Sequence, residues 1–347
     1  MSTPEKTRMA IIGCGRIARK HAEAITALPE AELTALCDIA PVRLQEFAAQ
    51  YPIQARAYAD YHELVHQPDI DLVTIATPSG LHAEIGIAAA QAGKHVLVEK
   101  PMAMTLESAD RLIAACRQAG VQLGVIHQNR FNKSVQLLRQ ALEQGRFGRL
   151  THGQATVRWN RDDAYYEQAP WRGTKLQDGG VLMNQSIHNI DLLQWMFGPV
   201  TSVFGYTAQH LRKIEMEDVG IAVLRFANGA LGVIEAAATI YPRNIEETLN
   251  VFGENGSVII GGIAVNRIAT WEFPDAETEQ QQIFASQAND PPDVYGFGHR
   301  LLFLDMIQAI RENRSPAIPG EEGRKALEII LAIYACQESG QPVLMNT

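Results

Sequence analysis

The sequence predicts two domains of different class: an α/β domain with a parallel sheet, then an α+β domain with an open-faced, mainly antiparallel sheet. Three observations lead there. Up to about residue 127, short apolar runs alternate with amphipathic helical stretches, which is the pattern of β-α-β units. Beyond about residue 150 the alternation gives way to a series of strand-like runs, two pairs of them separated by Asn-Gly, the composition of a tight hairpin turn. A length of 347 residues also fits two domains better than one. The first domain is placed at 1–127 and the second at 128–347, with C-terminal helices that can pack back on the first.

In the first domain Arg8–Ile12, Ala31–Cys37, Leu72–Ala76, His95–Val98 and Gln122–Ile126 read as strands. Each is a short apolar run without polar alternation, as suits strands covered on both faces. Helices are expected at 16–28, from Pro41 to Gln50, at 81–92 and at 106–118, where apolar residues recur at helical spacing. In the second domain the expected strands are Thr151–Asn160, Ser202–Gln209, Val219–Phe226, Ala230–Ala238, Thr248–Phe252 and Ser257–Ile260, with hairpin turns at Asn228-Gly229 and Asn255-Gly256. One long helix, 180–197, interrupts them, and helical periodicity returns over 300–336. The runs 219–226 and 230–238 are apolar on both faces, so one face is expected against helices and the other against another subunit. Gly296-Phe-Gly-His299-Arg300 either edges a substrate pocket or caps the last helix.

A formal net charge of −9 argues against nucleic acid or an anionic membrane as partner, since both select basic surfaces. Met1-Ser-Thr-Pro-Glu-Lys leads straight into a strand with no signal-peptide pattern, and no apolar run reaches membrane-spanning length. A cytoplasmic location is expected. Cys14, Cys37, Cys116 and Cys336 are scattered without metal-ligand or redox spacing, so they read as buried small residues and no metal site is expected.

The first chemical signal is Ile11-Ile12-Gly13-Cys14-Gly15-Arg16-Ile17-Ala18, which closes the first strand and opens the first helix. This is the dinucleotide-binding fingerprint of a Rossmann domain, with alanine as its third small residue. Gly13 makes the tight turn, Gly15 lets the backbone approach a diphosphate, and Ala18 keeps helix and strand close. The diphosphate is expected at the helix N-terminus, where unpaired N–H groups favour negative charge. Asp38, at the end of the second strand, is placed to accept from ribose hydroxyls and favours NAD over a 2′-phosphorylated cofactor. Arg43 lies close by and leaves NADP as the less favoured choice. Thr77-Pro78-Ser79, after the third long strand, faces the cofactor if ligands bind at strand carboxyl ends, and His82 follows at a helix start.

Glu99-Lys100-Pro101 ends the next strand. A lysine there can polarise a carbinol or accept its proton if burial lowers its pKa; a surface lysine paired to Glu99 is the plainer alternative. The segment Gly179-Gly180 to Trp195 then carries Asn184, His188 and Asp191 at spacings of four and three, one polar stripe on an otherwise apolar helix. Buried polar groups need partners, and substrate hydroxyls or neighbouring loops can both supply them. Just upstream, Tyr165-Tyr166 and Trp171-Arg172 combine aromatic surface with a cation.

Gly13-x-Gly15-x-x-Ala18, Glu99-Lys100-Pro101 and Gly179-Gly180 followed by Asn184 and His188 together resemble the Gfo/Idh/MocA family of sugar and cyclitol oxidoreductases, along essentially the whole chain. The resemblance implies hydride transfer between a sugar carbinol and a nicotinamide, NAD as cofactor, and assembly as dimers or tetramers through the open sheet faces. It implies Lys100 and His188 as catalytic residues. Many members carry aspartate four residues before the histidine; here Asn184 stands there, which shifts the proton-transfer role toward Lys100. The cofactor set it implies is Gly13, Gly15, Arg16, Ile17, Asp38, Thr77, Ser79 and His82, with Glu99, Lys100, Asn129, Trp171 and Arg172. The substrate set is Lys100, Arg130, Tyr166, Lys175, Asn184 and His188. Within the family, the stretch Tyr165 to Asn189 is similar to UDP-N-acetylglucosaminuronate 3-dehydrogenases, which implies a nucleotide-sugar substrate, a role in surface polysaccharide sugar synthesis, 2-oxoglutarate as a co-substrate that reoxidises NADH, and a homotetramer. A free-sugar or inositol dehydrogenase, and a non-catalytic dinucleotide sensor, stand as alternatives.

Overall fold

A computed structural model describes residues 6–51, 54–274, 276–285 and 294–345. The segment 1–5, read above for targeting patterns, lies outside the described residues. The chain divides into two compact units, 1–127 with 299–324, and 128–298 with 325–347.

The first unit holds a six-stranded sheet: β1 (Thr7–Ile12), β2 (Ala31–Cys37), β3 (Arg56–Tyr58), β4 (Leu72–Ile75), β5 (His95–Glu99) and β6 (Leu123–Ile126). The order is β3-β2-β1-β4-β5-β6 and all pairs are parallel. This is the doubly wound arrangement, whose order reverses between β1 and β4. The central strands are fully buried, Met9 to Ile12 and Val96 to Val98 among them, because helices cover both faces. β3 was not foreseen: three residues at a sheet edge, two of them exposed, leave no apolar run to read.

The second unit holds eight strands: β7 (Leu150–Arg158), β8 (Val200–Ala208), β9 (Val219–Phe226), β10 (Leu231–Ala237), β11 (Glu246–Gly253), β12 (Ser257–Gly261), β13 (Arg267–Glu272) and β14 (Val343–Leu344). Their order is β13-β12-β11-β7-β10-β9-β8-β14. Both Asn-Gly turns join neighbouring antiparallel strands, β9 to β10 and β11 to β12. The sheet is mainly antiparallel, as expected, with one parallel pair, β7 with β10, at its middle. The helix Ile187–Phe197 packs on β7 and β11. A side chain at Gly153 of β7 would collide with the Phe197 ring, so the glycine admits the helix onto the sheet. The long helix expected at 180–197 is wound in two ways: Val181–Ser186 is π-helical and only Ile187–Phe197 is α-helical. Such insertions are frequent at functional sites.

All four cysteines are buried and form no disulfide. Burial pushes the thiols of Cys14, Cys37 and Cys116 up to about 12, which keeps them protonated and unreactive. Among the described residues no helix is long and apolar enough to cross a membrane.

Candidate active site

In the first unit the expected residues gather along the carboxyl ends of β1, β2, β4 and β5. Gly13 adopts φ +95°, and a Cβ there would lie 2.7 Å from the Ala76 carbonyl, so the turn admits only glycine. A Cβ on Gly15 would meet no protein atom within 4 Å. The protein itself does not require glycine at that point; a diphosphate drawn onto the backbone does. Ala18 is fully buried at the helix start, as the third small position demands. Arg16 is exposed and Ile17 half-buried. Asp38 is buried; its Oδ2 accepts from the Cys14 N–H at 2.9 Å and its Oδ1 from the Ala40 N–H at 2.9 Å. The acid is thereby locked against the glycine turn with lone pairs left for ribose hydroxyls. Arg43 reaches it only at 3.9 Å and is half-exposed. Thr77 and Ser79 follow β4, and Thr77 Oγ1 is buried with no hydrogen-bond partner, as a ligand contact would leave it. These residues fit a dinucleotide.

His82 departs from its expected cofactor role. It is 1 % exposed, and its ring nitrogens lie 2.8 Å from the Pro101 carbonyl oxygen and 2.9 Å from that of Thr77. Burial pushes its pKa down while the two carbonyls pull it up, and the ring stands as a strut between two turns. Glu99 also serves the protein's interior. Its Oε1 is 2.9 Å from His21 Nε2 and its Oε2 accepts from the Lys100 N–H at 3.2 Å, while His21 Nδ1 is 3.0 Å from Thr74 Oγ1. Burial would raise the Glu99 pKa, but the His21 hydrogen bond and the charges of His21, Lys100 and His299 hold it down at about 2. A fixed carboxylate therefore sits directly behind half-buried Lys100. His21 and His299 were not foreseen in this place. The ring of buried His299, in the first turn of the helix Gly298–Glu312, stands 6.1 Å from that of His21.

In the second unit the helix after Gly179-Gly180 carries the polar stripe. Within 181–194 only Asn184 and His188 are not buried, so the two residues four apart form its accessible face. Asp191 is fully buried and takes the guanidinium of Arg130 in two hydrogen bonds, 2.8 Å from Nε and 2.7 Å from Nη2. Arg130, expected on the substrate, is 3 % exposed and also lies over Trp195, 4.9 Å from the ring centroid. It is a core ion pair, and the bidentate geometry explains why the pair tolerates burial. His188 Nε2 lies 3.5 Å from Gln128 Nε2. Asn129 is buried with its Oδ1 unpartnered.

Asn184 is held by the loop before it. Its Nδ2 donates to Asp178 Oδ1, and its Oδ1 accepts from Gln185 Nε2. Gln185 in turn meets the Tyr165 hydroxyl at 3.0 Å and accepts from Arg161 Nε at 2.9 Å. Arg172 Nη1 donates to the same Tyr165 hydroxyl at 2.5 Å, and its guanidinium lies 4.3 Å from the Tyr165 ring centroid and 4.9 Å from that of Trp171. Two cations thus flank one phenol, a setting for an anionic ligand. Burial, with Tyr165 and Asp178 close by, pushes the Tyr166 phenol up, so it stays a neutral donor. Lys175 is exposed. Asp178, Gln185 and Arg161 escaped the sequence reading, although Asp178 immediately precedes the Gly-Gly pair that was read.

A parallel six-stranded sheet, a glycine turn and an acid locked against it define an NAD-binding Rossmann domain, and with it the class of NAD-dependent dehydrogenases. Residues 7–127 match the model of the "oxidoreductase family, NAD-binding Rossmann fold", and residues 135–259 match the "GFO/IDH/MocA C-terminal domain". The chain belongs to the Gfo/Idh/MocA oxidoreductase family, a family of NAD-dependent sugar dehydrogenases. It is 40 % identical, with a TM-score of 0.91 and 99 % of each chain covered, to the WlbA dehydrogenase from Bordetella pertussis, solved in complex with NADH and UDP-GlcNAcA. It is 39 % identical, with a TM-score of 0.91 and coverage of 99 % and 97 %, to the WlbA dehydrogenase from Chromobacterium violaceum, solved with the same two molecules. Identity to the myo-inositol 2-dehydrogenase of Thermotoga maritima is 29 %, over 96 % of both chains.

Proposed function

We propose that this protein oxidises the 3-hydroxyl of UDP-N-acetylglucosaminuronate to the 3-keto sugar in surface polysaccharide sugar synthesis. The observation that carries the reading is full-length similarity, at 40 % and 39 % identity, to two dehydrogenases solved with NADH and UDP-GlcNAcA. Bound NAD supplies the hydride acceptor. Lys100, backed by ionised Glu99, accepts the proton of the reacting hydroxyl. Asn184 and His188 orient the sugar hydroxyls, and Tyr166 donates to the substrate. Arg172 and Lys175 meet the uronate carboxylate or the diphosphate, for which charge-assisted bonds are strong.

The 29 % identity to a myo-inositol 2-dehydrogenase supports a second reading, a free-sugar or inositol substrate. The deciding experiment supplies purified protein with UDP-N-acetylglucosaminuronate and NAD, with and without 2-oxoglutarate, and follows the sugar by mass. Loss of two hydrogens from the nucleotide sugar is the expected result, and more product with 2-oxoglutarate identifies it as the co-substrate that recycles the cofactor. No product from the nucleotide sugar but turnover of myo-inositol moves the reading to the second substrate class.

The exposed apolar side chains Tyr206, Ile221, Val223, Leu231 and Val233 share one face of β8, β9 and β10. A homo-oligomer, a dimer or a tetramer built on that face, is part of the proposal. A cytoplasmic setting suits a reaction between NAD and a nucleotide sugar.

A further inference from the structure

We infer that Asp178 is a positioning residue that dictates what Asn184 presents to the substrate. The inference rests on the proposed dehydrogenase reading for the assignment of Asn184 to the sugar.

An amide has two ends of nearly equal shape, and only the groups around it decide which end points where. Asn184 and Gln185 lie in series between two kinds of charge. At one end stands Asp178, 1 % exposed. Its Oδ2 accepts from the Gly173 N–H at 2.7 Å and its Oδ1 accepts from Asn184 Nδ2. A carboxylate only accepts, so it can meet Asn184 only through the amide's NH2 group. At the other end stand Arg161 and Arg172, which only donate. Arg161 Nε lies 2.9 Å from Gln185 Oε1, so Gln185 turns its oxygen to the arginine and its NH2 group toward Asn184 Oδ1 and the Tyr165 hydroxyl. Arg172 Nη1 donates to that hydroxyl. The two amides thus have one orientation that satisfies both ends, and the opposite orientation places N–H against N–H and oxygen against oxygen. Asn184 also opens the π-helical turn's accessible face, four residues before His188. Asp178 therefore sets the direction of the hydrogen bonds offered at the start of the substrate helix without itself reaching the accessible face.

The bond needs one acid and one amide, but not in a given order, and this makes it testable by exchange. The variants are Asp178→Asn, Asn184→Asp, and the two combined. Asn184→Asp alone sets a second carboxylate against that of buried Asp178; combined with Asp178→Asn it restores an acid–amide pair of reversed order. We expect Asn184→Asp to lower kcat/KM for the sugar by about 30-fold or more in the wild-type background, and by about threefold or less when added to Asp178→Asn. Asp178→Asn alone is expected to raise the sugar KM about tenfold more than it changes kcat, with NADH affinity unchanged in every variant. Kinetics are run on whichever sugar the wild type oxidises, so wild-type failure on UDP-N-acetylglucosaminuronate rejects the substrate reading and not the pairing. Thermal unfolding followed by tryptophan fluorescence needs no substrate: the exchange is expected to recover the melting temperature that Asn184→Asp loses. Equal costs of Asn184→Asp in the two backgrounds, in kinetics and in melting temperature, overturn the inference.

Discussion

Glu217→Gln probes the acid that holds the start of the helical segment carrying Asn184 and His188. Glu217 is 5 % exposed. Its Oε1 accepts from the Leu182 N–H at 2.9 Å and from the Tyr334 hydroxyl at 3.1 Å, and Oε2 has no partner. Gly180 lies so close that a Cβ there would collide with the carboxylate. Burial pushes the Glu217 carboxyl up from 4.5 to about 7, outweighing the Leu182 and Tyr334 hydrogen bonds that favour its charge. For an acid whose pKa is raised by folding, the unfolded chain ionises first. Stability is undiminished below the unfolded value, falls as pH rises through the interval, and settles at its lower level above about 7. Between pH 5 and pH 8 this one group costs about 2.5 kcal/mol. Glutamine keeps an acceptor for Leu182 and Tyr334 and has nothing to ionise. Its stability relative to wild type should therefore rise by about that amount from pH 5 to pH 8. All four tryptophans, Trp159, Trp171, Trp195 and Trp271, lie in the second unit. Urea unfolding followed by their fluorescence thus reports on the unit that contains Glu217. Glu247, which burial raises to about 8, titrates in both proteins and cancels in the difference. Parallel stability curves for the two proteins across this pH range would show that Glu217 does not titrate there, and the reasoning would fail.

Lys100→Met should lower kcat about 100-fold to 10,000-fold, the usual contribution of a positioned proton acceptor, while NADH binding measured by fluorescence titration stays within about threefold; unchanged turnover removes Lys100 from the chemistry. Asp191→Ala leaves the Arg130 guanidinium buried and uncompensated and should destabilise the second unit by about 3–5 kcal/mol in urea unfolding, whereas a loss below about 1 kcal/mol contradicts a tight buried pair. Val223→Asp puts a charge in the middle of the exposed apolar face and should halve the mass or more in light scattering after size exclusion, with the NADH affinity retained; an unchanged mass places the subunit contact elsewhere.

The first sheet was legible because parallel strands buried on both faces announce themselves as bare apolar runs, and β2 was bounded to the residue at Ala31–Cys37. β3 and the two-residue β14 lie at sheet edges and are too short to show a period. The parallel pairing of β7 with β10 joins strands about eighty residues apart, whereas turn composition speaks only for neighbours. The site divides in the same way. Gly13, Asp38 and Lys100 were marked by their places at strand ends, and Asn184 and His188 by helical spacing. That spacing could not separate Asp191 from the other two, because its partner Arg130 lies 61 residues earlier. Nor could a histidine at a helix start show that both its nitrogens would face backbone carbonyls. The amide chain from Asp178 to Arg172 was invisible for a related reason: the orientation of Asn and Gln is a property of neighbours, not of sequence position.

His82 joins the turn after β4 to the turn after β5 through a single ring. Whatever shifts the Thr77 turn drags the Lys100-Pro101 turn with it, and a lysine moved for a new substrate would disturb the nucleotide's seat. The first unit is therefore poor raw material for diversification. On the proposed function, a change of sugar is expected to fall on the loop and helix of the second unit, from Tyr165 to His188, while the imidazole strut holds the two turns of the first unit together.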